Sequence, residues 1–455
     1  MRHRISNLHC LIYALPVVSS AWLIAPIAVL QGIYAKYYGL PLSTIAGVIF
    51  LVRLFDAISD PIIGSYSDYY YEKKGSFKPI IVVGALLFII SSYFLYVPPQ
   101  DVGTMYFTAW FILFYLAWTL FEMPHVTWGS QLANTSESKA RIYSFRNMTS
   151  YLGWLFFYAI PLLPMFDGNE ITPQTLKVSV LLAGFMMLVF LWICIRESYG
   201  DTKFSNSRSK SQAHKLTAAK SKNNKRLIFW SSVIKNKPLL IFITAYLLMV
   251  MSSGFWYSVI FLYVDVYLGM GDQFAKMFLL AFFIGILATP VWYKIAIYLG
   301  KKLTWILATV LSISSFIYTG SLSPADTSLV DLVTLKCLQT LGFTYAGIVG
   351  PSMLSEIIDY SNWKFRAADN AKYFAIYTFM YKTAGALAMA VGLGVASWYG
   401  FDATASNQSS DSVFGLTLSI SYLPSAVACI AIIFIWLCPI SERRHSIIRR
   451  RLDQS

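Results

Sequence analysis

The stretch Ile49-Phe50-Leu51-Val52-Arg53-Leu54-Phe55-Asp56-Ala57-Ile58-Ser59-Asp60-Pro61-Ile62-Ile63-Gly64 puts two carboxylates inside an apolar run long enough to cross a bilayer. A charge at the bilayer centre costs about 2.5–3.5 kcal/mol on insertion scales, so such residues usually face a cavity and carry function. A helix turns 100° per residue, which sets Asp56 and Asp60 on one face about one turn apart. Two acidic oxygen donors stacked at mid-membrane depth suggest a place for a small cation. The alternative is a structural ion-pair network that holds helices together.

The rest of the chain agrees with a membrane setting. Of its 455 residues 57% are hydrophobic and 13% charged, with a mean hydropathy of +0.57. Soluble globular proteins carry about 25% charged residues. Apolar runs recur along the whole length, and they do not alternate as β-barrel strands would. They divide into twelve segments, at 8–38, 41–69, 78–98, 102–132, 140–165, 173–196, 237–267, 271–299, 302–322, 327–357, 369–400 and 412–440. The expected fold class is therefore an all-α membrane protein of twelve transmembrane helices. Met1-Arg2-His3-Arg4 leads into a full-length first span with no small-residue cleavage site, which reads as a retained helix.

The net charge of +14 reports topology rather than nucleic-acid binding. Lys and Arg gather in Met1–Arg4, Glu72–Lys78, Lys139–Arg146, Lys203–Lys237, Lys301–Lys302, Lys364–Lys372 and Arg443–Arg451. The segments between these carry essentially none, and that alternation places both termini in the cytoplasm by the positive-inside rule. Adhesion to anionic lipid is a secondary reading. Cys10, Cys194, Cys337, Cys429 and Cys438 are scattered through apolar segments without paired spacing, so they read as small buried hydrophobes.

The one long polar interruption, rich in Ser, Lys and Asn, separates spans six and seven. It divides the chain into a six-helix bundle at 1–196, a basic linker at 197–236, a second six-helix bundle at 237–440 and a basic tail at 441–455. A weak internal repeat, Lys74-Gly75 in the first half against Gly300-Lys301-Lys302 in the second, supports the division. Two six-span halves around a midplane site describe a major-facilitator-type transporter better than a channel.

Depth follows from a rise of about 1.5 Å per residue. Asp56 and Asp60 then stand about 18 and 12 Å from the level of Asp68, and Glu122 about 15 Å from the end of its span. Lys382 is again about 15 Å deep, counted from Lys372. Three acids and one base share one level, so Na⁺ can be held at Asp56, Asp60 and Glu122, with Thr119 adding a hydroxyl oxygen. Hard cations prefer such oxygen ligands, whereas a proton needs only one carboxylate of raised pKa. Arg53, one turn before Asp56, can pair with Asp56 or Glu122. Lys382, beside Tyr377 and Tyr381, is the natural counter-charge, in a static or a moving salt bridge. Arg146 can give hydrogen bonds to substrate or to an anionic group, and Arg141 equally to lipid phosphate. His125 reads as a packed, hydrogen-bonded histidine. Trp128 and Tyr143 lie near the expected cavity, where an aromatic ring can stack on a sugar face. No nucleophile elbow, phosphate loop, zinc spacing or dinucleotide fingerprint is present, which argues against an enzyme.

The motif Arg53-Leu54-Phe55-Asp56 through Asp60-Pro61-Ile62-Ile63-Gly64, followed by Lys74-Gly75-Ser76-Phe77-Lys78-Pro79, closely resembles the glycoside–pentoside–hexuronide:cation symporters, typified by melibiose permease. Glu122-Met123-Pro124, Ala140–Arg146, and Ser355-Glu356-Ile357-Ile358-Asp359-Tyr360 leading to Lys382 resemble further stretches of that family. The resemblance runs nearly end to end and implies the major facilitator fold. It implies that Asp56, Ser59, Asp60, Thr119 and Glu122 surround the coupling cation. It also implies that Lys382 links that site to the second half and that Arg146 contacts substrate. Arg53, Arg141, Glu356 and Asp359 are the expected charge network, and Lys382 and Trp128 are further candidate substrate contacts. Ser19-Ser20 stands where the type member has a sugar-gripping acid, which makes Ser20 a candidate substrate contact. Phe365-Arg366-Ala367-Ala368-Asp369-Asn370 replaces the usual glycine-flanked Arg-x-Glu. Both departures bear on the cargo more than on the cation site.

The expectation is a monomeric multi-pass carrier of the plasma membrane, or of the inner membrane in a bacterium. It would need no cofactor and would couple Na⁺ or H⁺ to uptake of a sugar or glycoside. A lysophospholipid or other amphiphile is the alternative cargo, and a non-transporting receptor or scaffold the alternative class.

Overall fold

The computed structural model describes residues 6–132, 136–166, 168–197, 233–365, 370–405, 407–439, 448 and 451. The expected linker and tail lie almost wholly outside the described residues. The helices of the first part are α1 (Asn7–Ile24), α2 (Ile27–Tyr38), α3 (Leu42–Lys74), α4 (Lys78–Tyr96), α5 (Thr104–Leu132), α6 (Ser136–Ala159) and α7 (Pro173–Glu197). Those of the second are α8 (Lys237–Leu262), α9 (Gly271–Leu299), α10 (Lys301–Gly320), α11 (Leu329–Phe365), α12 (Asn370–Trp398), α13 (Ser410–Thr417) and α14 (Leu423–Leu437).

Local chemistry explains where these helices break. The first expected span divides into α1 and α2 at Ala25-Pro26, because Pro26 has no N–H to continue the ladder. Gly39 and Gly75, with φ of 66° and 72°, close α2 and α3 in the left-handed conformation that only glycine adopts freely. A π turn at Leu418–Tyr422 joins α13 to α14, so the last expected span is one bent segment.

Among the described residues, ten segments are long and apolar enough to cross a membrane. α6 and α11 are the other two of the twelve. Each carries several charges, Arg146 on the one and Lys336, Glu356 and Asp359 on the other. Their polarity marks them as helices that line something other than lipid. One apolar face of α3 and of α7 points outward, as Leu54, Ile58, Ile62 and Phe185 do. Lipid accepts such a surface at no hydrophobic cost.

The described chain forms two compact units, Met1–Ser211 with Met270–Leu279 and Asp402–Ser406, and Gln212–Gly269 with Leu280–Phe401 and Asn407–Ser455. In the first unit α1 packs on α6 and α7, α4 on α5 and α7, and α3 on α5. Two glycines set those distances. A Cβ on Gly84 would lie 2.6 Å from the backbone of Leu120, and one on Gly153 would lie 2.2 Å from the Val18 carbonyl oxygen. Without a hydrophobic force between helices in lipid, such close backbone approach is a main source of attraction. Buried hydroxyl and indole groups are tied to neighbouring helices: Tyr34 Oη donates to the Leu95 carbonyl at 2.7 Å and Trp22 Nε1 to Ser179 Oγ at 2.8 Å. In the second unit α8 packs on α12 and α14, and α10 on α11 and α14. Its core is built on Phe242, Trp305 and Tyr345.

Candidate functional site

α3 turns Asp56 and two hydroxyls inward and an apolar stripe outward. Val52, Asp56, Ser59, Ile63 and Ser67 point inward, following the helical repeat, while Leu51, Leu54, Ile58 and Ile62 point outward. The Asp56 carboxylate is 1% exposed, so it is the more fully desolvated acid of the pair, and Asp60 is half-buried. Pro61 follows directly and has no N–H to give the Ala57 carbonyl, which loosens the ladder between the two acids.

Thr119 of α5 meets this face. Its hydroxyl is buried, lies 2.9 Å from Asp60 Oδ1 and is 3.5 Å from Asp56 Oδ1. One hydroxyl hydrogen therefore spans two like charges that would otherwise repel at short range. On the far side of Asp56, Arg53 Nη1 lies 3.9 Å from Oδ2, and the guanidinium stacks over the Tyr115 ring at 4.3 Å. Of the two acids open to Arg53, it takes Asp56. Ser59 Oγ donates to the Asp56 carbonyl oxygen at 3.2 Å, a bond within α3 that keeps the hydroxyl on the same face.

Glu122 lies one turn beyond Thr119 but enters a different cluster. Its carboxylate pairs with the Arg146 guanidinium of α6. Arg146 Nη1 also reaches His125 Nδ1 at 2.5 Å. His125 is buried and stacks on Tyr13 of α1 at 4.4 Å with the ring planes 5° apart; Phe121 lies 5.3 Å away. Tyr13 Oη in turn donates to the His125 carbonyl at 2.7 Å. Gly129 is required here, because a Cβ on it would lie 2.2 Å from Tyr13 Oη. The first unit thus presents two adjoining sets of groups. One is two carboxylates and a hydroxyl; the other is an acid–guanidinium–imidazole–phenol chain.

The remaining candidates are placed as follows. Ser20 is buried in α1. Trp128 is buried too, with its ring edge against Tyr13 at 5.8 Å and the Lys78 ammonium 5.7 Å from its centre. The Arg141 side chain lies outside the described residues. In the second unit Glu356 pairs with Lys301, whose ammonium also reaches Ser352 Oγ at 2.7 Å. Asp359 and Lys382 are half-buried on α11 and α12. Tyr377, expected beside Lys382, packs tilted against Tyr246, with ring centres 4.7 Å apart and planes at 36°. Among the described residues no three His, Cys, Asp or Glu side chains gather as a closed metal cage would require.

Sequence reasoning passes over two groups. Tyr13 carries no sequence signal, since a tyrosine in an apolar span is ordinary. Lys336 does carry one: it is a lone cation in the apolar run from Leu332 to Leu341. The desolvation cost that singles out Asp56 singles out this ammonium equally.

Chemically, the first set suits a hard monovalent cation or a proton. The Thr119 oxygen can turn a lone pair to a cation once the hydrogen is no longer needed between the carboxylates. The second set can donate to the hydroxyls of a polar solute through Arg146, at the cost of loosening its bond to Glu122.

The family model that matches is described as MFS/sugar transport protein and spans residues 13–442. The chain is 24% identical to the uncharacterized symporter YjmB of Bacillus subtilis (strain 168), covering 92% of this chain and 90% of that protein. It is 23% identical to a putative sulfoquinovose importer of Escherichia coli (strain K12), over 92% and 88%. Lactose permease of Lactobacillus helveticus is 24% identical over 91% of this chain and 65% of its own length. Among solved structures, the nucleoside transporter NupG superposes with a TM-score of 0.65 at 12% identity, covering 95% of this chain and 98% of that one. The inward-open xylose transporter XylE from E. coli gives 0.60 at 14% identity, with 96% of each chain covered. The proteins it matches are membrane transporters rather than enzymes.

Proposed function

Since the chain belongs to the family of MFS/sugar transport proteins and has the major facilitator fold of a secondary transporter, we propose that it is a symporter that couples Na⁺ or H⁺ to movement of a sugar or glycoside. The observation that carries the coupling is the Thr119 hydroxyl set between the Asp56 and Asp60 carboxylates. Two charges in apolar surroundings, with one hydrogen between them, form a site whose energy falls when a cation enters.

The proposed cycle uses that energy. Arg53 offsets only one of the two carboxylate charges, so closing the protein around the cation-free pair is costly, because a net negative charge would be left desolvated. A cation removes that penalty and lets the substrate-loaded form occlude and reopen on the other side. Ion and substrate are linked because each favours the same conformation. Glu122 sits one turn along α5 from Thr119, so movement of this helix registers in both clusters. Solute hydroxyls that draw Arg146 from Glu122 would free a further acid near the cation. In this reading the protein resides in the plasma membrane, or the inner membrane of a bacterium, with cytoplasmic termini.

Sugar is favoured over an amphiphile by the names of the relatives, lactose permease and a putative sulfoquinovose importer among them. The test is uptake of labelled sugars into cells under an imposed Na⁺ or proton gradient. Asp60→Asn should abolish accumulation above the external concentration. Undiminished gradient-driven accumulation by that variant would refute the role of the pair.

A further inference from the structure

The second unit holds a buried cation that the cycle above does not use. Lys336 of α11 is 3% exposed and stands seven residues after Leu329, about 10 Å along the helix. An ammonium at such depth is costly, and a functional role is the default expectation. Its Nζ donates to Tyr257 Oη at 2.9 Å and to Gln339 Oε1 at 2.8 Å, and lies over the rings of Trp256 and Tyr257 at 5.3 and 4.9 Å. Tyr257 Oη in turn donates to Gln339 Oε1 at 3.2 Å. Both bonds to Gln339 fall on its carbonyl oxygen, and this fixes which end of the amide is which. Gln339 is 1% exposed, and its Nε2 is a buried donor without a hydrogen-bond partner.

A purely structural cluster would satisfy that amide, because a buried unmade hydrogen bond is expensive. The donors present are an ammonium and a carboxamide NH₂, held by an indole that Thr319 Oγ1 anchors through a 3.2 Å bond from Trp256 Nε1. Tyr257 and Phe343, edge to face at 6.4 Å, are half-buried. N–H donors in buried aromatic surroundings suit a planar or tetrahedral oxyanion, which takes several charge-assisted bonds at once.

We propose that Lys336, Gln339 and Tyr257 form a binding site for an anionic group on the transported solute, a carboxylate or a sulfonate. The cargo is then an acidic sugar or glycoside rather than a neutral one. This rests on the sugar-transport reading above and narrows it. When the oxyanion enters, it accepts from Gln339 Nε2 and from the ammonium, while Tyr257 keeps its bond to the Gln339 carbonyl.

The experiment measures uptake by reconstituted full-length protein of matched pairs: glucuronate with glucose, galacturonate with galactose, and 6-deoxyglucose with and without a 6-sulfonate. The wild type should prefer the acidic member of at least one pair by about tenfold or more, and its carboxylate and sulfonate arms identify which oxyanion it takes. Lys336→Gln should lower the acidic-to-neutral ratio by about tenfold, and Lys336→Arg should retain most of it. Gln339→Glu supplies a resident carboxylate to the ammonium, keeps the volume and should remove the preference. That variant decides the matter if Lys336→Gln fails to fold. Uptake of neutral sugars without an acidic preference, or a preference that survives in both Lys336→Gln and Gln339→Glu, would overturn this proposal alone. Uptake of no sugar in any pair would overturn the sugar reading and this proposal with it.

Discussion

At the scale of single residues, the proposed coupling turns on Thr119, which donates to Asp60 and spans toward Asp56. Hydrogen bonds to charged groups contribute about 1.5–3 kcal/mol, so losing the hydroxyl should weaken cation activation by roughly tenfold or more. Thr119→Val keeps the shape of the side chain and should raise the cation concentration for half-maximal uptake by that factor. Thr119→Ser should restore it. Equal cation dependence in all three proteins would show that the hydroxyl has no part in the site. The Glu122–Arg146 pair makes a second case. Arg146 is nearly buried while Glu122 is about a quarter exposed, so removing one partner leaves a poorly solvated charge. Glu122→Gln should lower thermal stability by up to about 3 kcal/mol, and the double change with Arg146→Gln should recover part of that loss. Additive losses on thermal unfolding in detergent would mean that the two side chains are not coupled.

Much of this site is legible in the amino-acid sequence, and the rest is not, for definite physical reasons. Asp56 and Asp60 declare themselves because a charge in an apolar run is expensive and a four-residue spacing fixes their common face. Thr119 follows from depth and from the family resemblance but not from spacing, since it stands 59 positions from Asp60 and any helix at the right level would have served. The sequence places Glu122 with the cation acids and Arg146 with substrate; the fold joins the two to each other. Depth arithmetic gives the level of a side chain but not its azimuth, and the azimuth decides which charge an acid meets. Lys336 obeys the same cost rule and is legible in principle.

At the scale of helices, the close approach of α4 to α5 matters most, because α5 presents Thr119 to α3. Gly84 faces the Leu120 backbone, where an added methyl group would lie 2.6 Å from main-chain atoms that cannot swing away. Gly84→Ala should therefore separate the helices and cost about 1–3 kcal/mol of stability. It should also weaken cation activation, because Thr119 is the residue before Leu120 and shifts with it. A variant with wild-type melting and wild-type cation dependence would show that α4 does not set the position of α5. Apolar segment lengths reveal the helices well, and Pro26 marks the break between α1 and α2. They are less informative for α6 and α11, where charges interrupt the pattern because these helices hold Arg146 and Lys336.

At the scale of the molecule, the chain is a major-facilitator secondary transporter, and each compact unit carries a distinct set of buried charges. The first holds two acids bridged by a hydroxyl; the second holds a cation in an aromatic setting. The central claim is that the acid pair ties solute movement to an ion. The direct measurement is ion entry on addition of a transported sugar to de-energised cells, followed with a sodium electrode and a pH electrode. Coupling through the pair predicts that sugar alone drives Na⁺ or H⁺ inward through the wild type, and that both Asp56→Asn and Asp60→Asn abolish this entry. Sugar uptake with no accompanying movement of either ion, or ion entry that persists in both variants, would contradict it.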